Sequence, residues 1–452
     1  MKNQTKIFAI ILMIILTTTI LAQTQPKTIQ MKPYHNSSEI FPLINEHAHG
    51  STIVELPNGD LLAAWFQGSG ERWADDVRIM GARLLKGKGN KWTEPFVMAD
   101  VPGFPDINPI LFIDPQKRLW LMWYTVIANQ WETSLPRYRI SKNYMQQNGA
   151  PEWSWQDVII FKPGGKTERG IQPNDPFVNS IERQLKIYAS YLKEQGANEA
   201  QLKDWEKFGK NLLAKAKGEN MMRGGTLIKK DGSKINQEMG YPYFRRLGWQ
   251  TKNKAVFLKN GRMIIPFYSD GLDLSIMLIS DDGGKNWQFS EPLVSAAGIQ
   301  PAIAFKRDGT LVAYMRDNGP PPKRHHISES KDNGMTWSPV RDSILPNEGS
   351  GSDIVTLKNG NWVIAYNDTE NGRYTLAVSL STDEGKTWKY IRHLERDTRE
   401  NVNMRTTAAY PSIVQGSNGA IHIVYSYHNK DRGGKTIKHA CFNEAWIKEG
   451  DK

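Results

Sequence analysis

An eight-residue unit, Ser-x-Asp-x-Gly-x-Thr-Trp, recurs at regular intervals in the C-terminal half of the chain. It reads SKDNGMTW at Ser330–Trp337 and STDEGKTW at Ser381–Trp388, and SDDGGKNW at Ser280–Trp287 carries Asn286 in place of Thr. The copies start about fifty residues apart, with worn versions near Lys88–Trp92 and Ser141–Trp153. A period of that length signals a repeat architecture. The unit reads as a β-hairpin turn. Asp332 and Asp383 accept hydrogen bonds from turn N–H groups, Gly334 and Gly385 supply a positive φ, and Trp337 and Trp388 pack beneath as plugs. This is stabilising chemistry, not catalytic chemistry.

A second phrase alternates with the first: a turn, then an apolar strand. It reads LPNGDLLAAW (Leu56–Trp65), DPQKRLWLMWY (Asp114–Tyr124) and LKNGRMIIPFY (Leu258–Tyr268). It returns as KRDGTLVAYMR (Lys306–Arg316), LKNGNWVIAYN (Leu357–Asn367) and GSNGAIHIVYSY (Gly416–Tyr427). Asn-Gly and Asp-Gly before such strands are strong hairpin signals. Six of them predict an all-β chain, a six-bladed β-propeller. IERQLKIYASY (Ile181–Tyr191) reads as an extra strand within six blades, with a seventh blade as the alternative. From about 191 to 240 the pattern breaks into a helical insertion. Leu202, Trp205, Phe208 and Leu212 fall three to four apart, forming a helix against the propeller side or a wall over a cleft.

At the N-terminus, Lys2 and Lys6 precede the apolar run Ile7–Ala22. Residues 1–22 read as a signal peptide, with 23–448 the mature propeller, periplasmic or secreted; a retained anchor is the alternative. No later stretch approaches the ~20 apolar residues of a spanning helix, so no stable membrane insertion is expected after cleavage. Cys441 is the sole cysteine, which excludes a lipid-modified cysteine after the leader and any intrachain disulfide, so stability must come from a large core. The net charge is +11, and +9 without the two leader lysines (11 − 2). That balance favours an acidic glycan as partner. Nucleic acid is not expected, since no basic tract is interleaved with aromatics. The 15 Trp read as repeated anchors or as a sugar-stacking surface. No phosphate loop, cysteine-based metal set or nucleophile elbow appears, so neither cofactor nor metal is expected.

Taken together, these motifs resemble the sialidase (neuraminidase) superfamily over most of the mature chain, as a divergent member. The resemblance implies three arginines on a substrate carboxylate, a Tyr nucleophile activated by Glu, and an Asp acid/base. A carboxylate favours forked guanidinium donors, and a neutral Tyr escapes the repulsion that a charged nucleophile would meet. Arg316 resembles the second arginine and Arg373 the third. Tyr410, in AAYPSIVQ, is similar to the nucleophile, and Asp75 or Asp76, in ERWADDVRIM, falls at the acid/base position, with Glu71 an outside candidate. Two positions depart. His49 stands where the first arginine is expected, and Gln300, in GIQPAIAF, replaces the activating Glu. Gln is no base near neutral pH.

Three functions follow as alternatives. The first is an exo-glycosidase that releases a terminal acidic sugar, with Arg316 and Arg373 as clamp, Tyr410 as nucleophile and His47 or His49 supplying the missing basicity. The second is a lyase on uronic-acid glycan, which suits the His and Gln changes. The third is a non-catalytic glycan-binding propeller. Arg245 and Arg246 read as a replacement carboxylate clamp or a solvated loop. Trp249 reads as a sugar platform or a blade plug. His325 and His326 read as loop residues, and Asp317, Asn318 and Pro320–Pro322 as a rigid rim loop.

Overall fold

Each of the six turn-plus-strand phrases folds as the first hairpin of a four-stranded antiparallel sheet. The computed structural model describes residues 32–164, 175–218, 225–228, 231–237 and 243–451; residues 1–22, expected as a signal peptide, lie outside them. Blade 1 runs through His47–Glu55, Leu61–Gly68, Arg78–Leu84 and Phe96–Ala99, and blade 2 through Asp106–Ile113, Leu119–Val126, Ser134–Ser141 and Trp155–Val158. In blade 3 the first strand is split into Trp249–Thr251 and Val256–Phe257, followed by Met263–Ser269, Leu274–Ser280 and Gln288–Phe289. Blade 4 comprises Gly298–Phe305, Leu311–Asp317, Arg324–Ser330 and Arg341–Pro346, and blade 5 comprises Asp353–Thr356, Trp362–Asn367, Leu376–Ser381 and Tyr390–His393. Blade 6 closes the ring. Its strands Thr407–Gln415, Ile421–His428 and Lys435–Phe442 take their fourth partner, His35–Glu39, from the other end of the chain.

Neighbouring blades pack on both faces of every second strand, which is why those phrases read as nearly continuous apolar runs. Leu119–Val126 is buried at every position, as is Met263–Ser269. Trp65, Trp120, Trp123, Trp249 and Trp362 are fully buried between blades, so these five are anchors and not a sugar-stacking surface. The Ser-x-Asp turns join third to fourth strands in blades 3, 4 and 5. Asp332 accepts from Thr336 N at 2.9 Å and from its hydroxyl at 2.6 Å, and Asp383 does the same with Thr387 at 2.9 and 2.7 Å.

The segment Ile181–Tyr191, expected as a strand, is helix. It lies inside α1 (Pro176–Glu194), and α2 (Glu199–Lys217) packs against it as a hairpin between blades 2 and 3. The insertion therefore begins about fifteen residues earlier than the apolar spacing suggested (191 − 176). Asp175 caps α1 by accepting from Phe177 N and Val178 N, and Pro176 occupies the first turn, where its missing N–H leaves no bond unmade. Phe177, Ile181, Leu185 and Tyr188 form the buried stripe. The alternation of Leu185 and Ile187 imitated a strand, but Ile187 is exposed.

His325 and His326, expected in a loop, sit in the third strand of blade 4 and are buried. His326 contacts Asp342 at 3.0 Å and Asp317 at 3.4 Å. Burial opposes its charge, yet the two carboxylates carry its pKa up to about 9. The folded-state value exceeds the unfolded 6.5, so this stabilisation is complete below pH 6.5 and is lost as pH rises through 9. Between pH 6.5 and 8 the loss should be on the order of 2 kcal/mol. Urea midpoints measured across that interval should fall in the wild type and stay level in His326→Leu; parallel slopes would remove the pair from the account.

Candidate active site

Residues equidistant from a hairpin turn lie at one level of the hairpin, as direct partners unless a bulge shifts the register. The first turn residues here are Asn58, Gln116, Asn260, Asp308, Asn359 and Asn418. Eight positions before and after each stand Gly50 and Phe66, Asn108 and Tyr124, Lys252 and Tyr268, Gln300 and Arg316, Gly351 and Asn367, and Tyr410 and Ser426. These six pairs, one per blade, build the site where the innermost strands converge. In blades 1, 2, 4 and 6 the innermost strand shifts register at this level. Gly50, Asn108, Gln300 and Tyr410 there adopt φ of 62°, 47°, 55° and 55°. A bulge re-aims a side chain, and a positive φ in a non-glycine residue costs about 1–3 kcal/mol. Pro109, Pro301 and Pro411 follow the three non-glycine residues, each with no N–H to leave unpaired at the break. Glycine is needed where side chains crowd. A Cβ at Gly351 would stand 2.7 Å from Lys252 Cε and 2.9 Å from Gln300 Oε1.

Tyr410 is the centre of the arrangement. Its hydroxyl oxygen accepts from Arg316 Nη1 at 3.0 Å and from Gln300 Nε2 at 3.2 Å, so its own hydrogen points elsewhere. Gln300 also donates to the Tyr268 hydroxyl at 3.1 Å. Tyr268 is hydrogen-bonded to Tyr124, whose hydroxyl accepts from Asn108 Nδ2 at 3.1 Å. Burial, first, and the carboxylate of Asp270 hold Tyr124 and Tyr268 well above the ordinary phenol range, as neutral groups. The Arg373 guanidinium lies 5.4 Å from the Tyr410 ring and the Lys252 ammonium 5.7 Å. Lys252 donates to Pro411 O at 2.9 Å, and its pKa is lowered by burial to about 8. Arg316 Nη2 donates to Asn318 Oδ1 at 2.9 Å, while Arg316 Nε is buried without a partner among the described residues.

Two carboxylates face these cations. Burial raises Asp270 to about 6, against the pull of Arg316. Burial likewise raises Glu348, against the Ser350 hydroxyl and both guanidiniums. Neither residue was singled out in the sequence, and neither was Asn108, Tyr124, Tyr268 or Lys252. The offset of eight from each turn is the signal that finds the last four. Asp270 and Glu348 lie in loops and carry no such mark.

The His49 ring packs against Tyr410 at a tilt of 52°, with ring centroids 4.3 Å apart. Burial, then the charges of His47, Arg373, Lys252 and Lys435, drive its pKa well below 6.5, so a neutral ring occupies this place. His47 lies at the edge of the cluster. Lys435 Nζ donates to its Nδ1 at 2.8 Å, and its Nε2 stands 3.0 Å from Glu71. Burial raises the Glu71 carboxyl, but His47, Arg373 and Arg72 outweigh it and the net shift is downward. In the loop that carries it, Glu71 turns inward. Asp75 is exposed, and Asp76 is occupied by its own turn, accepting from Ser69 N and Oγ at 3.0 and 2.8 Å.

The remaining candidates are not brought to this cluster. Arg245 is buried in a forked pair with Asp175, at 2.9 and 2.8 Å, and donates to Ala216 O at 2.9 Å. It fastens the helical insertion, and this bonding leaves no clamp for a substrate. Arg246 is half-buried in the same short helix, Tyr243–Arg246. Trp249 is fully buried, stacked on Phe161 at 4.8 Å, which is a plug and not a platform.

A family profile described as BNR repeat-like domain matches residues 59–170 and 216–423. A sialidase of Bacteroides fragilis (strain YCH46) is 24% identical over 164 residues, and the match spans 34% of this chain and 30% of the relative's length. Among solved structures, a protein of unknown function from Dyadobacter fermentans DSM 18053 aligns with a TM-score of 0.59 at 13% identity, covering 90% of this chain and 97% of that one. The intramolecular trans-sialidase of Ruminococcus gnavus, solved with oseltamivir carboxylate, aligns with a TM-score of 0.55 at 14% identity, covering 89% and 95%. At these identities the likeness is one of fold.

Proposed function

The chain belongs to the BNR repeat-like family, and from that premise we propose that it is an exported glycan-active enzyme that hydrolytically releases a terminal acidic sugar. The observation that carries the reading is the Tyr410 hydroxyl held by Arg316, with Arg373 beside its ring. Two guanidiniums and a buried ammonium make a seat for one carboxylate. A phenol attacking the carbon that bears this carboxylate is not repelled by it. Gln300 positions Tyr410 but takes no proton. Asp270, raised to about 6 by burial, is the nearby carboxylate suited to work as a base near neutral pH. Glu71, paired with His47 at 3.0 Å, lies in the blade 1 loop beside the site, and we assign the His47–Glu71 pair to proton transfer at the departing oxygen. The leader Lys2–Ala22 supports export.

Product analysis on a panel of sialylated, glucuronylated and ulosonic glycans tests this. Release of the free terminal sugar is expected. An unsaturated uronide absorbing in the near ultraviolet would replace hydrolysis by elimination, and affinity without turnover would leave only a binding role. Within the loop, Glu71→Gln should lower kcat by on the order of 10²-fold, whereas Asp75→Asn and Asp76→Asn should stay within about threefold. The opposite ranking in steady-state rates would move the acid/base to the exposed pair.

A further inference from the structure

Beside this cleft the α1–α2 hairpin and the loop after Arg316 enclose a cavity of about 670 Å³. Tyr191, Trp205 and Phe208 form one wall. Trp205 is buried against Tyr188 and Phe208, so the half-buried Tyr191 and Phe208 supply the accessible aromatic surface. Gln201, Asp204 and Asn318 supply polar edges, and Pro320–Pro322 form the facing rim. Aromatic faces accept the C–H face of a pyranose, while planar amides and carboxylates take pairs of its hydroxyls. The volume suits a small ligand of one or two rings.

The charge is selective. Among the described residues no Lys or Arg lines the cavity, and the one histidine that does, His326, is taken up by Asp317 and Asp342. Asp204 and Asp273 add further negative charge, so an acidic sugar is repelled where a neutral one is accepted. Asn318 belongs to both sites, since it lines the cavity and its Oδ1 accepts from Arg316 Nη2 at 2.9 Å. The adjoining backbone is pinned. Asp317 accepts from Gly319 N at 2.7 Å and from Arg324 N at 3.0 Å.

We propose that this cavity is a second carbohydrate site, which takes a neutral sugar unit. Its occupancy does not rest on the reading above. The two sites are opposite in charge, so acidic units are drawn to Arg316 and Arg373 and neutral units to the cavity.

Ligand-observed NMR on the full chain, with lactose and cellobiose as probes, tests the cavity without any turnover. Saturation transfer to at least one neutral disaccharide is expected in the wild type and in Arg316→Ala. Affinity should weaken at least tenfold in Phe208→Ala and measurably in Asp204→Ala. Asp204 is exposed on α2, so its variant reads the site even if Phe208→Ala fails to fold. No transfer in the wild type, or equal transfer in both cavity variants, overturns the proposal. A wild type that cleaves acidic glycosides but binds neither disaccharide sinks the cavity and spares the catalytic reading. Binding without any cleavage does the reverse.

Discussion

Tyr410→Phe should abolish turnover of acidic glycosides by on the order of 10³-fold or more while leaving the propeller folded. The change deletes one oxygen that accepts from Arg316 and Gln300. Leaving those two donors facing an apolar ring costs about 1–3 kcal/mol of stability each if they find no water, and a core of this size tolerates that. Arg316→Ala should be as damaging to rate, because it removes both a carboxylate donor and a contact to the Tyr410 oxygen. Arg373, which lies over the ring and does not bond to the oxygen, should when replaced by Ala raise KM more than it lowers kcat. Steady-state kinetics with circular dichroism of each variant decides. Full turnover in Tyr410→Phe and Arg316→Ala together would displace the reaction from this cluster altogether.

Arg245→Met should destabilise the protein by about 3–5 kcal/mol, the cost of leaving a buried charge without its partner. Asp175 is 7% exposed and Arg245 5%, so neither finds solvent when the other is removed. Asp175 also caps α1 through Phe177 N and Val178 N, which ties the ion pair to the start of the insertion. Asn keeps the capping oxygen and drops the charge. Arg245→Met combined with Asp175→Asn should therefore recover a good part of the loss. Denaturant midpoints across the four proteins of this cycle measure the coupling. A single-variant cost below about 1 kcal/mol would mean that the pair is solvated and does not fasten the helices. Turnover per folded molecule should not change in Arg245→Met, because the guanidinium is directed at Asp175 and Ala216, away from Tyr410.

The cluster around Tyr410 was half legible. The phrases that carry them mark Tyr410, Arg316, Arg373, Gln300 and His49, and these meet around the Tyr410 side chain. Asn108, Tyr124, Tyr268 and Lys252 were legible in principle, since each sits eight residues from a turn that had already been recognised. What hid them is chemical type: Asn and Tyr in an apolar strand read as ordinary core. The acid/base pattern calls for Asp and so points to Asp75 or Asp76 over Glu71. The choice among three acids in one loop depends on which backbone turn each must cap, and Asp76 is consumed by Ser69. Ile181–Tyr191 misled for a different reason. Over so short a window, strand alternation and a helical stripe share most positions, and the deciding features, Asp175 and Pro176, lie upstream of the phrase.

Strand order within each hairpin and the places of the turns were determined by the sequence alone. They rest on local periodicities and turn residues, each complete within about twenty positions. The sequence left six or seven blades open, and the helix over Ile181–Tyr191 decided for six. The tertiary structure alone decided which polar groups share a cavity. Tyr410 reaches Gln300 across 110 residues and Arg316 across 94. Their meeting depends on bulges at the start of separate innermost strands and on closure of the ring by His35–Glu39. A bulge moves a side chain by one register position, and closure sets the distance across the axis. Neither has a local period, so the repeats laid out the scaffold, and only the closed ring brought Tyr410, Gln300 and Arg316 together.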